Sequence, residues 1–151
     1  MKKTRIFIDC EFNGFGGELI SMALVSEDGD ELYCVMVQNE HHEQWVEENV
    51  IPVLYEVNED DLTAVCSPRE LAIFIQKFLS NYGEVEIIAD WPDDIKYFCQ
   101  AIITGPGEMI HTPLLHFTIY RIDADSKVPH NALWDARGIM EMVIGDEIND
   151  R

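Results

Sequence analysis

IFIDCEFNG, residues 6–14, lies in the opening MKKTRIFIDCEFNGFGGELISMALVS. The run begins as a buried strand and ends with two carboxylates, Asp9 and Glu11, two residues apart. Strand side chains alternate between faces, so this pair shares one face of a sheet. Acidic residues are poor strand formers, and like charges brought together without a partner cost free energy. A bound cation is the obvious compensation.

Outward from this stretch the chain divides into short, well-punctuated segments. TRIFIDC, ELISMALVS and DELYCVMVQ are separated by the turns NGFGG and EDGD, which predicts three strands in an antiparallel meander. HEQWVEENVIPVLYEV holds a short helix ended near Pro52. SPRELAIFIQKFLSNYG has Ser67 as N-cap, Pro68 at the first helical position, Glu70 in the first turn and a terminal glycine. Its residues Leu71, Phe74, Ile75, Phe78 and Leu79 fall on one helical face. EVEIIAD reads as a short buried strand, PDDIKYFCQAII as a helix from Pro92, and TPLLHFTIYRID as a further strand region. HNALWDARGIMEMVIG closes the chain as a helix with Ala132, Ala136, Ile139, Met140 and Val143 facing inward. The expected fold is α/β: one domain over residues 1–151, with a mixed sheet of meander and parallel strands flanked by helices.

Composition narrows the function classes. At 47% hydrophobic and 10% aromatic residues, an ordered protein is expected rather than a disordered one. No apolar run approaches the roughly 18 residues of a membrane span, and the start lacks a signal-peptide pattern, so a soluble, cytoplasmic protein is expected. Cys10, Cys34, Cys66 and Cys99 are scattered without a CxxC pair, which argues for small hydrophobes in a reducing compartment rather than zinc ligands or disulfides. Against 29 acidic residues stand 10 Lys plus Arg, a formal net charge of -19. Such a charge repels polyanions, so any action on nucleic acid must rest on local features.

Acids stand at the edge of three regular segments. Besides Asp9 and Glu11, Asp90 ends EVEIIAD, with Asp93 and Asp94 in the first turn of the next helix. His130 and Asp135 bracket the start of the last one. Hard oxygen ligands suit Mg²⁺ or Mn²⁺. Two such ions roughly 3.5–4 Å apart clamp the attacking and leaving oxygens of a phosphodiester displacement. One neutral histidine nearby would take the proton from the attacking water. His41, His42, His111 and His116 lack a partner pattern and read as surface residues. Trp91 and Trp134 lie beside the acids and offer surfaces for stacking on bases, or are ordinary core.

These motifs carry a resemblance. IFIDCEFNG followed by LISMALV resembles the first motif of the DEDDh 3′–5′ exonucleases, the RNase T and proofreading-exonuclease family, in its small exoribonuclease-like branch. IIADWPDDIKYF is similar to the second motif, and PHNALWDA to the third, with a His five residues before an Asp. The three occur in the family's order across residues 6 to 136. The resemblance implies an RNase H-like fold with the first strand at the sheet centre. It further implies that Asp9, Glu11 and Asp135 hold one ion, that Asp9 with Asp94 serves a second, and that His130 is the general base. Phe12 and Asn13 would grip the terminal nucleotide. Asp94 is preferred over Asp90 for the second motif because Tyr97 and Phe98 follow it by one helical turn.

The expected function is metal-dependent 3′–5′ exonucleolytic hydrolysis of single-stranded ends, RNA in preference to DNA, releasing nucleoside monophosphates. Without a visible basic groove the substrates should be short, with Arg121, Lys127 and Arg137 meeting a few phosphates. The resemblance also suggests a homodimer. Two rivals remain: an acidic binding protein that mimics nucleic acid on a relic nuclease fold, and a phosphodiesterase of dinucleotides or a small phosphoester.

Overall fold

At the centre of the protein, whose computed structural model describes residues 2–38 and 41–149, is a six-stranded mixed sheet. Along the chain its strands are β1 (Lys3–Phe12), β2 (Leu19–Ser26), β3 (Glu31–Met36), β4 (Ala64–Cys66), β5 (Glu84–Ala89) and β8 (Leu114–Ile119). A small hairpin of β6 (Ile103–Gly105) and β7 (Glu108–Met109) stands apart. The helices are α1 (Gln44–Asn49), α2 (Pro68–Leu79), α3 (Pro92–Ile102) and α4 (Ala132–Asn149). Sheet order is β4-β3-β2-β1-β5-β8. β1 pairs antiparallel with β2 on one side and parallel with β5 on the other, and β2–β3 completes the expected meander.

Strand alternation divides the core between the two faces of the sheet. Ile6, Ile8 and Cys10 of β1 join the cluster beneath α2 and α3, together with Leu71, Ile75 and Phe98. Phe7 faces the other way, against Ile139 and Val143 of α4. Asp9 and Glu11 share the parity of Phe7 and so belong to the α4 side. The start of α2 is capped as its sequence implies, with Ser67 and Glu70 reciprocally bonded in a capping box. The turn after β1 relies on Gly14 and Gly16, both in left-handed backbone with φ of 75° and 73°.

Several elements differ from expectation. β4 is a three-residue strand parallel to β3, and the β6–β7 hairpin follows α3 directly; neither is marked by local pattern. Pro52 lies within a 3-10 turn, Ile51–Val53, that follows α1. α4 passes through Gly145 and runs to Asn149. All four thiols are free; Cys10, Cys34 and Cys66 are buried and Cys99 is partly so. His42 and His116, read as surface residues without partners, do have them: they contact Glu47 at 2.8 Å and Glu84 at 2.7 Å. Among the described residues, no helix is long and apolar enough to cross a membrane.

Candidate functional site

β1 and β5 run parallel, so their carboxyl ends lie together, and α3 starts just beyond β5. Register between β1 and β2 slips between Glu11 and Phe12, a bulge at the point where the acidic pair ends the strand. Bulges of this kind re-aim side chains beside functional sites. Asp94 sits in the first turn of α3, Asp135 in the first turn of α4. Both positions favour a carboxylate through the helix dipole.

The four expected carboxylates come together, and Asp90 joins them. Ligand oxygens of Asp9, Asp90 and Asp94 lie within 4.8 Å of one another, and so do those of Asp9, Glu11 and Asp135. Asp9 belongs to both groups. Its Oδ2 is buried without a hydrogen-bond partner. Asp94 is only 3% exposed, and its Oδ1 accepts the Cys10 N–H at 3.0 Å, which ties α3 to the end of β1. Proximity to Asp9 does not separate Asp90 from Asp94, because both offer it an oxygen.

Burial, joined by mutual repulsion at Asp9, Glu11 and Asp94, raises the proton affinity of every one of these carboxylates. Burial, then the neighbouring Asp94 and Glu11, pushes Asp9 well above the usual carboxylate range. Burial and Asp135 push Glu11 up to about 9, and burial and Asp90 push Asp94 up to about 8. Asp90 and Asp135 are raised as well, again chiefly by burial. A partnerless buried oxygen within an all-carboxylate donor set fits hard divalent cations such as Mg²⁺ or Mn²⁺.

Of these acids Asp9, Glu11, Asp90 and Asp94, but not Asp135, open onto a cavity of ≈ 480 Å³ lined also by Phe12, Phe15, Glu43, Trp45 and Trp91. Phe12 stacks on Tyr97 of α3 with ring centroids 4.8 Å apart. Asn13 faces the chain rather than the cavity: its Oδ1 accepts the Glu43 N–H and its Nδ2 donates to the His41 carbonyl. Trp91 is half exposed at the rim, donates to Asp93, and lies under the Arg121 guanidinium at 4.6 Å. Trp134 does not line the cavity; its indole N–H donates to the Glu56 carbonyl and Arg137 covers the ring. Arg137 itself is held by Glu31 and Asp61. His130 has left-handed backbone, its N–H donates to the Asp135 carboxylate, and its ring meets Trp45 edge-on.

Phe15, Glu43 and Trp45 were missed by sequence reasoning. Glu43 and Trp45 lie about thirty residues from β1 in an unremarkable acidic segment, and only the fold brings them to it. Phe15, exposed between two glycines of the first turn, was the one with a local signal. No family model matches the chain, and no curated protein matches it.

Proposed function

We propose that the protein is a metal-dependent 3′–5′ exonuclease of the DEDDh type on an RNase H-like fold. It would release nucleoside monophosphates from short single-stranded 3′ ends, RNA in preference to DNA. One observation carries the reading: Asp9 joins two carboxylate groups while keeping a buried oxygen without a partner. The strand order supports the fold assignment, with β1 inside the sheet between an antiparallel and a parallel neighbour.

Asp9, Glu11 and Asp135 would hold one Mg²⁺ or Mn²⁺, and Asp9 with Asp94 and Asp90 a second. When bound, the ions neutralise the carboxylates and stabilise charge on the attacking and leaving oxygens of the phosphodiester. His130, beside Asp135 at the start of α4, accepts the proton of the attacking water. The Phe12 ring, fixed by Tyr97, and the exposed face of Trp91 offer flat surfaces to the terminal bases. Preference for RNA rests on the likeness of the first motif alone.

The test is a 5′-labelled oligonucleotide incubated with Mn²⁺. Stepwise shortening from the 3′ end, lost in Asp9→Asn, is the required result. The net charge of -19 also suits a protein that occupies a basic partner in place of nucleic acid. Calorimetry showing no divalent-ion binding, with a basic partner co-purifying, would replace the nuclease reading by that one.

A further inference from the structure

His130 is the one non-glycine residue with positive φ among the described residues, at 71°. Such a conformation is strained and persists only where the surroundings hold it. The backbone is held on both sides. Its own N–H donates to Asp135, and the next residue, Asn131, is fully buried. Asn131 Oδ1 accepts the Trp134 N–H at 3.1 Å, and its Nδ2 donates to the Val53 carbonyl at 2.9 Å.

The imidazole ring rests on a different support. It meets the indole of Trp45 with centroids 5.0 Å apart and planes at 81°, an edge-to-face contact. Trp45 is 54% exposed, so burial alone does not account for where it sits. Its helix, α1, is pinned at the start by Asn13, which accepts the Glu43 N–H at 2.9 Å, and within by the buried Val46. Asn13 stands two residues beyond Glu11. A chain of contacts thus leads from the carboxylate strand, through α1, to the imidazole.

We propose that Trp45 is a positioning residue for His130: its indole fixes the imidazole relative to the carboxylates, so that proton transfer from the attacking water is in register with them. The inference rests on the exonuclease reading. It assigns Trp45 a task independent of any base in the substrate, and the test uses a phosphodiester that has none, bis(p-nitrophenyl) phosphate with Mn²⁺. Trp45→Ala should lower kcat about ten-fold with KM unchanged, a fraction of what a general base supplies. Mn²⁺ affinity by calorimetry should stay the same, and Trp45→Phe should recover most of the rate. On a His130→Ala background the Trp45→Ala loss should vanish, because the two residues act as one unit.

Full kcat in Trp45→Ala, or an undiminished loss on the His130→Ala background, would overturn the proposal. A loss confined to oligonucleotides would overturn it too, and would make Trp45 a stacking surface. The His130 ring-proton resonances, assigned by their absence in His130→Ala, should move in Trp45→Ala whether or not the protein turns over substrate. Unmoved resonances defeat the positioning role, whereas wild-type protein that cleaves neither substrate defeats the exonuclease reading.

Discussion

Asp9 is the residue on which two demands meet. It lies in the buried apolar run Ile6 to Cys10, and it meets carboxylates from β1, from the residue after β5, and from α3 and α4, with one oxygen unpaired. Without cations that arrangement destabilises the fold, because a buried carboxylate must stay protonated or go unpaired. Asp9→Asn keeps the shape and removes the charge. The metal-free variant should be more stable than wild type by about 2 kcal/mol, or about 4–8 °C in Tm for a chain of this size. It should also lose the Tm increase that Mn²⁺ gives the wild type. Scanning fluorimetry with and without Mn²⁺ measures both, and a metal-free variant that melts lower than wild type would show that Asp9 has a partner after all.

Secondary structure carries the acids to one place by two devices: the carboxyl ends of parallel strands and the first turns of helices. α4 depends on Asn131 for its start, since the side chain caps Trp134 N–H and also serves the Val53 carbonyl. Asn131→Ala removes the cap, worth about 1 kcal/mol, and leaves the part-buried Val53 carbonyl without its donor, worth about 1 kcal/mol more. Urea denaturation should read a loss of about 2 kcal/mol, with wild-type stability counting against the cap. Much of this level was legible in the sequence. Alternation marked β1 to β3, and Ser67-Pro68 and Pro92 marked the helix starts, because those signals are local. β4 and the β6–β7 hairpin were not, since runs of two or three residues become strands only when a neighbour supplies the hydrogen bonds. The same division holds at the site. Asp9, Glu11, Asp94 and Asp135 stand at element ends that pattern reveals, whereas the approach of Trp45 to His130 is purely tertiary.

Across the whole molecule the excess of acid shapes both stability and substrate choice. The site carboxylates have folded values raised above their unfolded values near 4, toward about 8 for Asp94 and about 9 for Glu11. A raised carboxylate binds its proton more tightly when folded, so the stability it lends is complete below about pH 4 and fades as pH climbs toward 9. Metal-free protein should therefore lose Tm steadily from pH 5 to pH 9, and saturating Mn²⁺ should flatten that slope; a flat metal-free profile would mean that the acids are not crowded. Substrate grip follows from the same charge. Lys2, Lys3, Arg5 and Arg137 are engaged in ion pairs, while Arg121 lies over Trp91 at the cavity rim. With about one phosphate contacted by a cationic side chain, log K for a single strand should fall with log salt at a slope of only about -0.7. A long strand then gains little over a short one, so kcat/KM should change less than about three-fold between a tetranucleotide and a 20-mer. Steady-state kinetics across a length series decides it: a rate that climbs with every added nucleotide would require a basic track, whereas no Lys or Arg is among the described residues that line the cavity.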